Sequence, residues 1–331
     1  MTSILRNRRT VVLALAAMSV VAAPGAATAQ TDAWPARPLR LVTASAAGGG
    51  ADIFARLVAE GVSRALKQPV IVDNKSGANG MIANDTVAKS RPDGYTVLFT
   101  YASAMVINAT LQPHVPYDAL KDLAPVAQIG SGGSYLVVSP DLPVRNLKEF
   151  VEYARAKGED LEYASWGIGS GGHLTMESLK QQSGLRIRHV PYRTVTQILT
   201  DLQGGTIKVA FVDVTSSAPL IRSGKLRALA VSGTRRTPAL PDIPTMTEQG
   251  YRFDADSWYG VFVPTGTPPQ IVQRLNAEIN KVLVSPELAQ RFAAANMSAP
   301  PIKSPAQFAE TVRADYRTWG EIIRTAGVKA E

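Results

Sequence analysis

The 331-residue chain contains no cysteine. That excludes disulfides, thiolate metal sites and a cysteine nucleophile together. Histidine is scarce: the only three are His114, His173 and His189, and none of their spacings suits a metal pair on one helix. No GxGxxG follows the first strand and no lysine completes a phosphate loop, so a nucleotide site is unsupported. Gly169-Ser170-Gly171 looks like part of a nucleophile elbow, but Ile168 stands where that motif needs glycine. Lysine and arginine form no blocks although the net charge is +8, which argues against nucleic acid as a partner. No set of residues argues for an enzyme, and no cofactor is implied.

The basic excess begins at the N-terminus, where Arg6, Arg8 and Arg9 precede the apolar stretch Val11–Ala23 and the small residues Ala27-Thr28-Ala29. These are the three parts of a cleavable export signal, and the apolar run of about 13 residues falls short of the ~20 needed to span a bilayer. Residues 1–29 are therefore predicted to be a signal peptide, and the remainder an exported, soluble, periplasmic protein. The length left over suggests two domains.

Along the rest of the chain, short apolar strands alternate with amphipathic helices. Leu39–Thr43 reads as a strand, and Asp52–Lys67 as a helix with Phe54, Val58, Val62 and Ala65 on one face. Further strands are predicted at 69–73, 95–100, 135–139, 161–165, 188–190, 209–212 and 226–231. Helices are predicted at 81–90, 147–157, 173–182, 269–283 and 305–325, with another ending near Leu202. This is the pattern of an α/β protein with parallel sheets, which bind ligands beyond the carboxyl ends of their strands. That rule gathers Ser45–Asp52, Thr100–Ser103, Ser165–His173, Tyr192–Thr196 and Asp213–Ser216. Two of these segments, around Gly48-Gly49-Gly50 and Gly167–Gly172, are glycine-rich turns opening onto helices. Bare backbone N–H groups at a helix N-terminus favour an anion.

Each group also has a plainer role. The glycines serve tight turns generally, and Asp52 complements the helix dipole in the first turn more readily than it meets a ligand. His173 is as apt to be a structural hydrogen-bonder as a donor to a ligand. Asp213 is as apt to cap the Thr215 and Ser216 N–H groups as to accept from a ligand hydroxyl or ammonium. Trp166, Trp258 and Tyr259 read as core or hinge packing before they read as ligand platforms.

A series of segments then makes the chain recognisable: Trp34–Val42, Gly48-Gly49-Gly50-Ala51-Asp52, Pro92-Asp93-Gly94-Tyr95-Thr96, Pro116-Tyr117-Asp118, Tyr163-Ala164-Ser165 through His173-Leu174, His189-Val190-Pro191-Tyr192, Gly224–Val231, Pro238–Thr245 and Ser257-Trp258-Tyr259-Gly260. In this order they resemble the Bug family, the extracytoplasmic solute receptors of tripartite tricarboxylate transporters. The resemblance implies a type II periplasmic-binding-protein fold, with two α/β domains joined by crossing strands and a ligand cleft between them. The domains are expected at 30–130 plus 253–331 and at 131–252. It also implies a monomer that performs no chemistry, holds a carboxylate through loop backbone groups and ordered waters, and passes it to membrane permease subunits. Mapped onto this chain, the expected ligand-binding positions are Ser45, Ala46, Gly48, Gly49, Gly50, Asp52, Ala102, Ser103, Ser165, Gly169, Ser170, Gly171, His173, Tyr192, Thr194 and Asp213.

The first loop departs from the family pattern Val-Pro-Phe-Ala-Pro-Gly-Gly-Gly-Thr-Asp. Ser45 replaces the ring, Ala44 and Ala47 the prolines, and Ala51 the threonine. Thr194 stands where glycine is usual, after Arg193, and Met81 where asparagine is usual. A missing ring and softer backbone imply a wider pocket for a larger carboxylate, such as an aromatic diacid of the phthalate type. Two rival functions share the same features: a ligand-sensing receptor for a membrane sensor kinase, and an exported hydrolase.

Overall fold

The computed structural model describes residues 34–48, 50–294 and 301–329. The expected export segment and Gly49 lie outside the described residues. Residues 37–331 form one compact unit built on two five-stranded sheets.

The first sheet has the order β2-β1-β3-β10-β4, with β1 at Leu39–Thr43, β2 at Val70–Asn74, β3 at Thr96–Tyr101, β4 at Leu123–Gly132 and β10 at Ser257–Pro264. β1 pairs in parallel with both β2 and β3, whereas β10 runs antiparallel to β3 and β4. Helix α1 (Gly50–Leu66) covers this sheet with Phe54, Val58 and Val62, all buried, while Arg64 and Glu60 pair on its outer side. Burying each such side chain is worth about 1.5–3 kcal/mol, so this stripe fixes how α1 lies on the sheet. Helix α2 (Met81–Ala88) follows β2, and β3 runs into a π-helical turn, Ser103–Ile107, that becomes α3 (Asn108–Leu111). Three C-terminal helices, α8 (Pro269–Leu283), α9 (Pro286–Ala294) and α10 (Pro305–Ala326), complete this half. Ser304 starts α10 with a reciprocal capping box to Gln307.

The second sheet has the order β7-β6-β8-β5-β9, with β5 at Ser134–Val138, β6 at Glu162–Ser165, β7 at Arg188–Pro191, β8 at Val209–Asp213 and β9 at Arg227–Val231. All five residues of β5 are buried, as expected of a strand covered on both faces. Its helices are α4 (Leu147–Lys157), α5 (Gly171–Ser183), α6 (Val195–Gly204) and α7 (Val214–Arg222). Asn146, Ser170, Thr194 and Asp213 cap them in turn, each side chain accepting a backbone N–H three residues on.

The sheets are mixed, which corrects the expectation of parallel ones. β10 opposes its neighbours in the first sheet, and β5 opposes β8 and β9 in the second. The crossing strands cause this: β4 leaves the first sheet at Gly132 and becomes β5 of the second after Gly133 alone. The neighbouring backbone is tight there. A Cβ on Gly133 would lie 1.4 Å from the Ser232 carbonyl, and Ser134 N–H donates to Ser232 Oγ at 2.8 Å. Ser232 N–H returns a bond to the Ser134 carbonyl at 2.8 Å. Thus the outward passage between sheets is a tight crossing, and the chain returns through residues 232–256 to β10.

Candidate ligand-binding site

The C-terminal ends of β1, β3, β6, β7 and β8 carry the expected segments. In the first loop, Asp52 is 2% exposed and its carboxylate is surrounded by donors of this chain. Gly48 N–H donates at 2.8 Å, Arg56 Nε at 2.9 Å and Asn74 Nδ2 at 2.8 Å. Asn74 Nδ2 also donates to the Ser45 carbonyl at 2.9 Å, and its own Oδ1 accepts from Arg56 Nη2 at 3.1 Å. Burial draws the Asp52 carboxyl up, but the bonds from Arg56, Asn74 and Gly48 outweigh it and hold the group below the usual carboxylate range. The charge of Asp52 is therefore spent inside the loop, fastening Ser45–Gly48 to β2 and α1. Ala46, Ala47 and Gly48 are exposed beyond this clamp, and Ser45 is half-buried with Oγ on the Ala46 carbonyl at 3.1 Å. Gly50 is the first residue of α1, where backbone N–H groups lack intrahelical acceptors.

The second loop is wired differently. Ser165, at the end of β6, is fully buried; its Oγ donates to the Gly167 carbonyl at 3.1 Å and accepts from Ser170 Oγ at 3.2 Å. Ser170 caps α5 by accepting from His173 N–H, and Gly169 N–H donates to His173 Nδ1 at 3.1 Å. Gly171 and Gly172 then occupy the first two positions of α5, whose N–H groups helix geometry leaves without acceptors inside the helix. A Cβ on Gly171 would lie 3.6 Å from Ser257 Oγ, and one on Gly169 would strike Leu111 Cδ2 at 2.2 Å. The second loop thus abuts β10 and α3 of the first half, and the N-terminus of α5 is buried beneath Trp166.

Two tyrosines that sequence reasoning left aside or gave to packing stand at the same place. Tyr101, the last residue of β3, is the cross-strand partner of Tyr259 in β10. Both are only half-buried, and Tyr259 also stacks on Phe99 with centroids 5.8 Å apart. Burial raises the Tyr101 hydroxyl to about 12. It raises Tyr259 as well, with the charge of Asp213 and the neighbouring Tyr101 adding to the effect. Tyr259 is therefore within electrostatic reach of both Tyr101 and Asp213, although the three come from both sheets. Asp213 is half-buried at the end of β8, and Oδ1 accepts from Ser216 N–H at 2.8 Å. Burial pushes its carboxyl up against the lowering effect of the Ser216 bonds.

The remaining expected positions are placed as follows. Ala102 is buried and Ser103 half-buried where the π-helical turn begins. A π turn at the end of a central strand recurs at functional sites. Tyr192 N–H donates to the Ser165 carbonyl at 2.9 Å, but its hydroxyl turns away to Asp201 Oδ2 at 2.8 Å. Thr194 is exposed, and its Oγ1 caps α6 by accepting from Gln197 N–H at 3.3 Å.

Two backbone-rich turns and a polar floor, set between two α/β halves joined by crossing strands, define a solute receptor of the type II periplasmic-binding-protein fold. Residues 54–328 match the tripartite tricarboxylate transporter family receptor, and the chain belongs to that family. It is 34% identical over 319 residues to protein BugT of Bordetella pertussis, covering 96% of this chain and 98% of that one. Among solved structures, Rpa4515 of R. palustris with adipate is 33% identical, with a TM-score of 0.81 over 89% of this chain and 99% of that chain. MatC of Rhodopseudomonas palustris with bound malate is 28% identical, with a TM-score of 0.77 over 87% of this chain and 99% of that one.

Proposed function

We propose that this chain is an exported receptor that captures a dicarboxylate between its two halves and hands it to the permease of a tripartite tricarboxylate transporter. The observation that carries this reading is the clamp on Asp52. With its carboxylate occupied by Gly48, Arg56 and Asn74, the first loop offers an incoming anion backbone N–H groups rather than a negative charge. The N-terminus of α5 offers a second set, and Tyr101 and Tyr259 add hydroxyl donors. The ligands held by Rpa4515 and MatC, adipate and malate, are both dicarboxylates, which supports the same class here.

In this reading the ligand meets the backbone of Ser45–Ala47 and Gly50, Ala102–Ser103 and Gly171–Gly172, beside Ser165 and the Asp213 carboxyl, while the N–H groups of Gly48, Gly169 and His173 stay on their internal acceptors. The domains are 30–130 plus 253–331 and 131–252, with residues 1–29 removed on export to the periplasm. The protein acts as a monomer and performs no chemistry. Small side chains at Ser45, Ala46 and Ala47 leave room for a diacid bulkier than malate, with an aromatic diacid as the limiting case. A thermal-shift panel of malate, succinate, adipate and the phthalate isomers tests this. A diacid at ~100 times its Kd stabilises the fold by about 2.7 kcal/mol, a rise of several degrees. Stabilisation by four-carbon diacids with none from aromatic ones would end the wide-pocket idea. A flat panel would end the dicarboxylate reading itself.

A further inference from the structure

Beneath the second loop, the imidazoles of His173 and His189 lie face to face, with centroids 4.0 Å apart and planes within 12°. They come from different elements, α5 and β7, and His189 has no part in the ligand positions assigned above. A backbone hydrogen bond fixes the tautomer of His173, and a serine hydroxyl orients His189. His173 Nδ1 accepts from Gly169 N–H, so any ring proton sits on Nε2, which lies 4.0 Å from Glu177 Oε1. His189 Nε2 lies 2.7 Å from Ser165 Oγ. With that hydroxyl donating to the Gly167 carbonyl and accepting from Ser170, His189 Nε2–H completes the set as a second donor to it. Both rings are neutral in this arrangement, and between them they hold Ser165, Gly169 and hence the loop 166–170.

The charged and titratable groups around the pair are few. The Tyr163 ring on β6 stacks on His189 at 4.9 Å, and its hydroxyl donates to Glu177 Oε1 at 2.5 Å. Lys180 Nζ on α5 holds the same Glu177 oxygen at 2.7 Å. At the outer end of β7, Arg188 pairs with Glu162 of β6. Burial is the main force depressing both histidines. It takes His189 to about 3, helped by His173 and Lys180, and lowers His173 against the pull of Glu177. Protonating His173 would put an N–H at Nδ1 against the Gly169 N–H, two donors facing each other. The bond that holds the loop is then lost, and a charge sits against a ring that is itself held neutral.

We propose that the stacked His173–His189 pair is an acid-operated latch on the second ligand loop, in which His189 is a positioning residue and protonation of His173 frees Gly169. Trp166 lies on this loop, its ring packed against Gly172, and reports the state of the latch. The effect on capture rests on the receptor reading above; the response of the loop does not.

The test follows the full chain labelled with 15N-histidine and 15N-glycine from pH 8 to pH 4, His114→Gln identifying the third ring. His173 should carry its proton on Nε2 at pH 8 and titrate below the ordinary ~6.5. The Gly169 amide and the Trp166 emission, assigned by Trp166→Phe, should move with the same midpoint. His189→Gln retains a donor for Ser165 but removes the stacked ring, and should move that midpoint up towards ~6.5. His173→Asn retains an acceptor for Gly169 and should abolish the response. Titration of His173 with no change at Gly169 or Trp166 overturns the latch, and so does an unchanged response in His173→Asn. The wild-type titration decides alone if either variant fails to fold. Adipate is the probe for capture: once the titration of free adipate, measured separately, is subtracted, its Kd should rise by up to ~10-fold per pH unit below the midpoint. Adipate affinity that ignores the midpoint overturns the role in capture. A working latch in a protein that binds adipate at no pH counts instead against the dicarboxylate reading.

Discussion

Asp315 offers the sharpest test of how the C-terminal helix is held. It lies in α10, is 8% exposed, and accepts from Trp258 Nε1 of β10 at 2.6 Å. Burial is the largest influence on its carboxyl and raises it from 3.8 to about 6, aided by Asp256 and opposed by the Trp258 bond and Lys303. The fold therefore binds this proton more tightly than the unfolded chain does. Its contribution is undiminished below pH 3.8 and is lost as pH rises through 6. A pKa unit corresponds to ~1.4 kcal/mol, so ionising Asp315 costs the fold about 3 kcal/mol at pH 7.5. Asp315→Asn keeps an oxygen for Trp258 and never ionises. Urea denaturation should find the two proteins within about 1 kcal/mol near pH 4 and the variant about 3 kcal/mol more stable at pH 7.5. Asp315→Ala should be less stable than Asp315→Asn at both pH values, because it leaves a buried Trp258 N–H unpaired at a cost of about 1–3 kcal/mol. A stability difference between wild type and Asp315→Asn that does not change with pH would refute the reasoning.

Two further outcomes follow from the crossing and from the first loop. Gly133→Ala drives a Cβ to within 1.4 Å of the Ser232 carbonyl, whereas Gly132→Ala meets nothing within 4 Å. The first should cost more than about 3 kcal/mol or prevent folding and the second should be mild, by thermal denaturation; equal effects would mean the crossing is not tight. Asn74→Ala removes the donors to Ser45 and Asp52 and the acceptor for Arg56. Left with fewer partners, the buried Asp52 should cost about 2 kcal/mol in urea denaturation, and the loosened loop should weaken diacid binding; full stability in the variant would mean that the clamp does not hold this loop.

What could be read from the sequence was whatever one local pattern encodes. The face of α1 was legible because Phe54, Val58 and Val62 repeat at helical spacing, and most strands were legible as short apolar runs between turns. β4 and β10 were not. Pro125 interrupts β4 and Gly260 interrupts β10, and each coincides with a shift of register between the two strands. Such residues normally argue against a central strand. They are tolerated here because β4 lies at the sheet edge and both residues fall where the register between the two strands shifts. Missing these two strands is also what left the first sheet looking parallel; in the second, β5 was read as a strand but its reversed direction was not. Helix α7 was hidden in the same way by Pro219 within it.

The candidate site divides along the same line. Its glycine turns were legible because strand, bare backbone and helix N-terminus are adjacent in sequence. Its side-chain partners were not, since Asn74 lies 22 residues from Asp52 and Tyr259 reaches Tyr101 only through an unrecognised strand. The structure also separates the departures that suggested a wide pocket. Ala51 is buried in the first turn of α1, so its exchange for threonine concerns packing there. Met81 opens α2 half-buried and packs on the first core, as does Tyr101. Ala44 is buried at the end of β1 with its N–H on the Phe99 carbonyl at 3.2 Å. Only Ser45, Ala46 and Ala47 remain to set the free volume on this side. A backbone site thus encodes its position in glycines and its charge preference in helix termini. In the proposed reading its selectivity rests on the few side chains that neither the core nor the clamp claims, and in this loop those are three small residues.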